Sequence, residues 1–184
     1  MIIGVVGSIA SGKSLLGDVL VKRGFLRLSF SAEVRNEAAN KNIPIKRKEL
    51  QDLGNEMRLR EGNDYWAKKV IAKMEKDKNY VVEGIRNPSE VNALRKLENF
   101  ILVNVEAPVE RRFQWIMMRQ KDSDPSSLEG VKVIDARDRG IGEEAHGQQS
   151  AKCIEMADYH LMNDSTKEKF EKKFGKLLKK IHIA

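Results

Sequence analysis

The stretch that determines the fold of this chain lies close to its start and reads Gly7-Ser8-Ile9-Ala10-Ser11-Gly12-Lys13-Ser14. It fits the pattern G-x-x-x-x-G-K-[ST], in which the glycines let the backbone curl so that successive N–H groups face an anion. The lysine of this pattern reaches the β- and γ-phosphates of a nucleotide, and the hydroxyl that follows contacts Mg²⁺. We therefore predict that residues 7–14 bind ATP and that Ser14 is a metal ligand.

The surroundings of this loop support the prediction. A chain of this length contains the pattern by chance in about one case in a hundred. Here it follows a short β-branched segment, Ile2 to Val6, and precedes a helical segment, Lys13 to Lys22, that Gly24 ends. A simple glycine turn with an incidental lysine is therefore disfavoured. Kinases, GTPases, motors and transporters all use this loop, so the reaction must be decided by other residues.

The rest of the chain alternates strand and helix signals and predicts an α/β fold in one domain, residues 1–184. Helices on both faces of a parallel sheet are expected from this alternation. Strand signals stop between residues 31 and 77, where we predict a helical insertion with caps at Ser31 and Asn63, and Ser89 is predicted to cap the helix after the third strand. The five predicted strands are residues 2–6, 25–29, 80–82, 100–105 and 158–162.

Composition limits the classes of function. Apolar residues make up 41% and charged residues 33% of the chain, and no apolar run approaches the roughly 20 residues that span a bilayer. The single cysteine, Cys153, excludes an internal disulfide, and we interpret it as a buried thiol in a cytoplasmic protein. The three histidines have no zinc-ligand spacing.

The net charge of +7 is concentrated near the end of the chain. Residues 166–181 place apolar side chains at helical spacing and lysines at the other positions. We interpret them as an amphipathic helix, with its lysines in solvent, rather than as a nucleic-acid surface. Small-molecule nucleotides are the expected partners, and the oligomeric state is left open.

The segment Val81-Val82-Glu83-Gly84-Ile85-Arg86 ends a predicted strand with an acid, a glycine and an arginine. Ligands of parallel α/β sheets bind beyond the carboxyl ends of the strands, so Glu83 is predicted to lie beside the phosphate loop and to hold Mg²⁺ or its water. Arg86 is predicted to face the transferring phosphate or the phosphate of an acceptor.

Arginines recur in the chain, and they suit the phosphate-rich chemistry of such a site because they bind phosphate in a bidentate way and stay charged. Residues 119–142 are polar, contain Pro125 and end in Arg137-Asp138-Arg139-Gly140-Ile141-Gly142. We predict that they form a lid with few apolar anchors that closes over the nucleotide. Ser126 and Glu129 have the spacing of a capping box inside it. The recurring arginines, inside and outside this segment, are Arg35, Arg86, Arg111, Arg112, Arg119, Arg137 and Arg139.

With these segments, the chain resembles the nucleoside monophosphate kinase group of P-loop proteins, within it the archaeal adenylate-kinase-related and dephospho-CoA-kinase-like proteins. The resemblance covers nearly the whole chain and implies a three-layer sandwich with strand order 2-3-1-4-5, an acceptor-binding role for residues 31–77, and a lid. It is carried by the phosphate loop, Ser31-Ala32-Glu33-Val34-Arg35, Val82-Glu83-Gly84-Ile85-Arg86, Arg119 to Pro125, Arg137-Asp138-Arg139, and Ala157-Asp158 to Asn163-Asp164.

The resemblance also implies residue roles. Arg35 and Arg86 would hold the acceptor monophosphate, and Arg119 and Arg137 would clamp the triphosphate. Asn163 would lie in the loop around the donor base. The predicted catalytic set is therefore Lys13, Glu83, Arg86, Arg119 and Arg137.

Three features depart from the family pattern. The acid of the third strand is Glu83 instead of aspartate, Lys121 replaces a lid arginine, and the Pro-Leu-Leu run of dephospho-CoA kinases is missing. The leading expectation is an Mg²⁺-dependent kinase that phosphorylates a nucleoside or deoxynucleoside monophosphate. A dephospho-CoA-kinase-like enzyme and an ATP-hydrolysing, nucleic-acid-associated switch are the alternatives. The acceptor and the choice between ATP and GTP stay open.

Overall fold

The computed structural model describes residues 1–119 and 124–183. Its strands are β1 (Ile2–Val6), β2 (Leu26–Ser29), β3 (Tyr80–Glu83), β4 (Phe100–Glu106) and β5 (Tyr159–Met162). Its helices are α1 (Lys13–Val21), α2 (Phe30–Asn40), α3 (Arg47–Glu61), α4 (Tyr65–Ile71), α5 (Pro88–Arg95), α6 (Val109–Arg119), α7 (Leu128–Arg139), α8 (Ser150–Glu155) and α9 (Lys167–Lys180).

All five strands are parallel and lie in the order β2-β3-β1-β4-β5, which confirms the predicted fold class and strand order. β1 is central and pairs with residues 80–83 on one side and residues 100–104 on the other. Every residue of β1 is buried, as expected for a strand covered on both faces. The carboxyl ends of β1 and β3 share one edge of the sheet, so the residues that follow them lie close together.

Two hydrophobic cores lie on opposite faces of the sheet. β1 contributes Ile2 and Val6 to the first core and Ile3 and Val5 to the second, because side chains alternate along a strand. The first core packs against α2–α5 and α8, and the second against α1 and α9. The apolar side of α9 is buried in the second core and its lysines are exposed, which confirms the amphipathic interpretation of this helix.

The segment predicted as a helical insertion contains α2, α3 and α4, between β2 and β3. Trp66 of α4 is fully buried, and its indole N–H donates to the carbonyl of Gly54 in α3 at 3.1 Å. This contact fixes the two helices against each other. The predicted caps are wrong by one or two residues, because α2 begins after Ser29 and α4 after Asp64.

The turn after β3 ends in a capping box, and the helix cap predicted at Ser89 is two residues late. Asn87, not Ser89, is the N-cap of α5, since the residue before Pro88 is held extended. The Asn87 side chain accepts from the backbone N–H of Ser89 at 3.0 Å, and the Glu90 carboxylate accepts from the backbone N–H of Asn87 at 3.0 Å. The turn that carries the predicted site residue Arg86 is therefore held rigidly.

Glu90 also joins this turn to the insertion. Its side chain is 0% exposed, and it accepts from Arg58 Nε of α3 at 2.8 Å and from the backbone N–H of Arg86 at 2.7 Å. Arg58 is only 4% exposed. Two buried charges that neutralise each other therefore fix α3 relative to the carboxyl edge of the sheet.

Helix α7 lies in the predicted lid and is anchored near its N-terminus. Its N-cap is Ser127, not Ser126, because the Ser127 hydroxyl accepts from the backbone N–H of Gly130 at 3.0 Å. Val131 is fully buried and packs with Ile9 of the phosphate loop and Ile116 of α6. Val131 is the one fully buried apolar residue of α7, and Val133 is exposed, so the prediction of a lid with few apolar anchors stays a prediction. Residues 120–123, including Lys121, lie outside the described part of the chain.

Two observations bear on the surroundings of the protein. Cys153 is buried, as predicted, and burial raises the pKa of its thiol to about 12, so the thiol stays protonated at neutral pH. Among residues 1–119 and 124–183, no helix has the length and apolar character needed to cross a bilayer.

The buried pair of Arg58 and Glu90 leads to a stability prediction. Glu90→Gln leaves the guanidinium of Arg58 buried without a counter-charge and should lower the free energy of unfolding by about 3 kcal/mol. Urea denaturation measures this loss. Glu56→Gln is the matched control, since the pair of Glu56 with Arg60 is exposed and its loss should cost under about 0.5 kcal/mol. Equal losses in the two variants would contradict the prediction.

Candidate active site

The phosphate loop has the backbone conformation that its sequence predicts. Gly7 and Gly12 have φ values of 137° and 106°, in the region that favours glycine. A side chain at position 7 would collide with the carbonyl of Val105 in β4. The loop therefore passes directly over the end of β4 and leads into α1, whose N-terminus carries the partial positive charge that attracts anions.

Lys13 lies folded back over this loop. Its ammonium donates to the carbonyls of Gly7 at 2.7 Å and Ser8 at 2.5 Å. Burial, and secondarily the positive charge of Arg86, lower the pKa of Lys13 to about 7. The ammonium is therefore placed where a bound anion would raise its pKa again.

Glu83, at the carboxyl end of β3, extends over α1 beside the loop. Gly17 of α1 leaves room for it, because a side chain there would collide with Glu83 Oε1 and the guanidinium of Arg27. Glu83 Oε1 is buried without a hydrogen-bond partner among the described residues, and Arg27 Nε lies 3.7 Å away. Burial raises the pKa of Glu83, while Arg27 and Lys13 oppose that change.

A carboxylate oxygen without a hydrogen-bond partner next to the phosphate loop suits a hard cation such as Mg²⁺. The hydroxyl-bearing Ser14 is exposed and lines the same cavity as Glu83. The described residues contain no group of three acidic, histidine or cysteine side chains that could hold a metal alone. Mg²⁺ would therefore need phosphate oxygens and water besides Ser14 and Glu83, as is usual for this ion with nucleotides.

Two cavities open at this edge of the sheet. The larger, about 790 Å³, extends from the phosphate loop past Trp115 and Arg119 to residues 163–167. The smaller, about 210 Å³, lies under α2 and α3 and has an apolar wall. Both cavities are lined by the same four residues, Ser31, Arg35, Gly84 and Arg86, so they meet there. The apolar wall of the smaller cavity consists of Phe30, Val34, Ile45 and Leu50.

Most of the predicted site residues lie around these cavities. Arg35 is exposed and donates to the carbonyl of Ser31 at 3.3 Å. Arg86 Nη1 donates to Asp138 of α7 at 3.1 Å. Arg119 lines the larger cavity and forms two hydrogen bonds to Asp124, at 2.6 and 2.8 Å.

Arg137 lies elsewhere. It donates to Glu143 at 2.8 Å, to Gln51 at 3.1 Å and to Asp52 at 2.6 Å, where α7 meets α3, and it lines neither cavity. A contact between Arg137 and a triphosphate would require these hydrogen bonds to break, and its predicted role stays a prediction.

Asn163 supports the phosphate loop from the side of β5. Its buried side chain donates to the carbonyl of Ser11 at 3.0 Å and lies against Gly12, where a side chain would meet it. It also lines the larger cavity beside Ser165 and Thr166. Asn163 therefore makes a structural contact with the phosphate loop, and its role near the donor base stays a prediction.

Sequence reasoning missed the roles of two residues in this site, Arg112 and Asp138. Arg112, singled out only as one of many arginines, is buried, donates to the loop carbonyl of Ile9 at 3.2 Å and pairs with Asp135 at 2.5 Å. Asp138 is buried where α3, α7 and Arg86 meet. Asp135 and Asp138 have i, i+3 spacing on α7, but their arginine partners lie on other elements, so spacing along the chain gave no signal for these pairs.

Comparisons with known proteins agree with this architecture. No family model matches the chain. It is 30% identical over 188 residues to a UPF0200 protein of Thermococcus onnurineus, with 98% of each chain covered. It is also 33% identical over 186 residues to a UPF0200/UPF0201 protein of Archaeoglobus fulgidus, of which it spans only 55%.

Among solved structures, the shikimate kinase of Bacteroides thetaiotaomicron matches with a TM-score of 0.63 at 13% identity, covering 99% of this chain and 98% of the other. The shikimate kinase of Acinetobacter baumannii in complex with shikimate matches with a TM-score of 0.56 at 16% identity, covering 97% and 93%. At such low identity these matches show the fold alone.

The lowered pKa of Lys13 leads to a prediction about proton uptake. At about pH 8 most Lys13 is neutral in the free protein. A bound triphosphate should restore its ammonium, so ATP binding should take up about one proton. At about pH 6 the group is already charged, and its uptake should approach zero. Calorimetry of ATP binding in buffers of different ionisation enthalpy measures this uptake.

The control for this measurement is Lys13→Arg, because a guanidinium stays charged at every pH used. Its pH-dependent uptake should disappear. An uptake at about pH 8 that is the same in the two proteins would show that Lys13 is not its source.

Proposed function

Because this chain belongs to the UPF0200 family and has the α/β fold of the P-loop kinases, we propose that it is a nucleotide kinase. It transfers the γ-phosphoryl group of ATP, with Mg²⁺, to a nucleoside or deoxynucleoside monophosphate. The observation that carries this proposal is the meeting of two cavities at Arg35 and Arg86. A nucleotide hydrolase needs the larger cavity alone, whereas a second cavity with a partly apolar wall accommodates an acceptor.

The donor nucleotide would bind in the larger cavity with its phosphates on residues 7–14. Lys13 would neutralise charge on the β- and γ-phosphates, and Ser14 and Glu83 would hold Mg²⁺ or its waters. When bound, Mg²⁺ supplies positive charge between the β- and γ-phosphates. Asn163 keeps the loop in shape on the side where the donor base would lie.

The acceptor would bind in the smaller cavity with its base against the apolar wall and its phosphate toward Arg35 and Arg86. A phosphate acceptor is already ionised near neutral pH and needs no general base. Among the described residues that line this cavity, Asp138 is the one carboxylate, and two arginines already hold it. This supports a phosphate acceptor over a hydroxyl acceptor, from which a base must remove a proton.

Catalysis in this proposal consists of positioning and charge stabilisation. Negative charge spreads over the γ-phosphoryl oxygens in the transition state, and fixed cations stabilise it without reorganising. Arg119 lines the donor cavity and would act there, as Arg86 would at the junction. Closure of residues 119–142 over the nucleotide, with Arg137 moving toward the phosphates, is also part of the proposal.

An acceptor screen tests this function. The protein with ATP and Mg²⁺ is assayed with ribo- and deoxyribonucleoside monophosphates, with dephospho-CoA, and with single-stranded RNA and DNA. The expected result is ADP production that depends on a monophosphate, together with the matching nucleoside diphosphate. ADP production that only dephospho-CoA or nucleic acid stimulates would replace the proposal with one of those alternatives.

Loss of the phosphate-loop lysine tests the donor site. Lys13→Ala should lower kcat by about 10²–10³, because a fixed cation at the transferring group is removed. The exposed Lys22→Ala at the end of α1 removes the same charge away from the site and should keep wild-type kcat. A Lys13→Ala enzyme that kept near wild-type turnover would show that the loop does not serve this reaction.

Loss of the junction arginines tests the acceptor site. Arg35→Ala and Arg86→Ala should each weaken acceptor binding by about tenfold or more, the usual worth of a charge-assisted hydrogen bond, and affect ATP less. Calorimetry with each ligand alone separates the two effects. Arg23→Ala, at an exposed position just after α1, is the control. Equal loss for ATP and acceptor would contradict the assignment.

A further inference from the structure

In the smaller cavity, the carboxylate of Asp138 lies between two arginines from other parts of the chain. Its Oδ2 atom accepts from Arg47 Nη2 of α3 at 2.9 Å and from Arg86 Nη1 at 3.1 Å, and its Oδ1 atom accepts from Gln51 Nε2 at 2.9 Å. The Asp138 side chain is only 2% exposed. One oxygen therefore bridges two cations in the smaller cavity, and one of them, Arg86, also lines the larger cavity.

This cavity has fewer negative charges than positive ones. It is lined by Arg35, Arg47, Arg58 and Arg86, and Arg58 is neutralised by the buried Glu90. The other three arginines face one lining carboxylate, Asp138, among the described residues, which leaves an excess of two positive charges. A phosphate monoester carries nearly two negative charges near neutral pH and would match this excess, whereas a carboxylate carries only one.

Arg47 has a donor that is not used. Its Nε is buried and has no hydrogen-bond partner within residues 1–119 and 124–183. Burial lowers the pKa of Arg47, Arg86 acts in the same direction, and Asp138 opposes both. A buried donor without an acceptor is costly, so this guanidinium is placed to gain from an anion with more oxygens than one carboxylate.

We propose that Arg47 belongs with Arg35 and Arg86 to the subsite for the phosphate of the acceptor, and that Asp138 is an internal anion that occupies the subsite until that phosphate displaces it. A phosphate offers three oxygens, enough to reach the guanidinium groups of Arg86 and Arg47, including the free Nε of Arg47. The inference rests on the proposed function for the identity of the acceptor as a monophosphate.

Displacement would also affect α7. Asp138 belongs to this helix and holds it to Arg47 and Gln51 of α3. When phosphate takes its place, the C-terminal end of α7 loses the hydrogen bonds of Asp138 to α3. Binding of the acceptor would thereby change the contacts of α7, the helix of the predicted lid.

The main test compares the wild-type protein with Asp138→Asn, titrated calorimetrically with inorganic phosphate and with AMP in the absence of ATP. The substitution keeps the shape of the side chain and removes the competing charge, so both anions should bind about tenfold more tightly. If Asp138 instead serves only to orient the arginines, binding should be weaker. Weaker or unchanged binding would overturn the proposal.

Two further variants define the site. Asp52→Asn removes the same charge from α3 at a position outside the cavity and should change phosphate affinity by less than about twofold. Arg47→Gln removes the proposed ligand and should weaken phosphate and AMP binding by about tenfold while ATP affinity is kept. Unchanged phosphate affinity in Arg47→Gln would exclude this arginine from the subsite.

A measurement on the unmodified protein covers the case in which Asp138→Asn does not fold. Backbone amides near the end of α7, residues 136–140, should exchange hydrogen several-fold faster with saturating phosphate, because Asp138 no longer holds the helix to α3. Slower or unchanged exchange would contradict displacement.

Failure of this inference and failure of the proposed function give different results. Tighter phosphate binding by Asp138→Asn without phosphorylation of any monophosphate would support the subsite and reject the kinase assignment. Phosphorylation of a monophosphate together with weaker binding by Asp138→Asn would support the kinase and reject the internal anion.

Discussion

Repulsion between cations held close together at the carboxyl edge of the sheet is the constraint on which the rest of the site depends. The site has little negative charge of its own to offset it. Lys13 has two loop carbonyls as partners, and Arg47 and Arg86 share one oxygen of Asp138. The pKa of Lys13 and that of Arg47 are both lowered, first by burial and also by neighbouring positive charge. Such an arrangement costs stability in the free protein and favours the binding of polyanions.

Charges that are fully paired hold the backbone in place around these cations. Glu90 neutralises Arg58 and accepts from the turn that carries Arg86, and Asp135 neutralises Arg112, which holds the carbonyl of Ile9. Paired charges therefore position the backbone around the site. Two of the buried atoms without a hydrogen-bond partner among the described residues, Glu83 Oε1 and Arg47 Nε, belong to residues that line the site, where a metal ion or an anion would satisfy them.

Sequence reasoning succeeded where the determining contacts are local. The strand, phosphate loop and first helix follow one another within about twenty residues, so pattern alone predicted their conformation and the parallel sheet around them. Asp138 and Arg112 were missed because their roles come from contacts across 91 or 103 positions of sequence, with Arg47 and Ile9. Arg137 and Asp138 are neighbours in one predicted run, yet adjacent side chains of a helix point in different directions, and only the packing of α7 decides which reaches the site.

The two ends of α7 are held by interactions of different kinds, and this limits how the predicted lid could move. Near its N-terminus, Val131 is buried against Ile9 and Ile116, and separating them would expose apolar surface with no substitute partner. At its C-terminus, Arg137 and Asp138 are held to α3 by hydrogen bonds and ion pairs. Water or a ligand phosphate can replace polar contacts of this kind at small net cost. Motion of α7 is therefore easiest as a pivot about its apolar end, which would leave the phosphate loop undisturbed while its polar end exchanges partners.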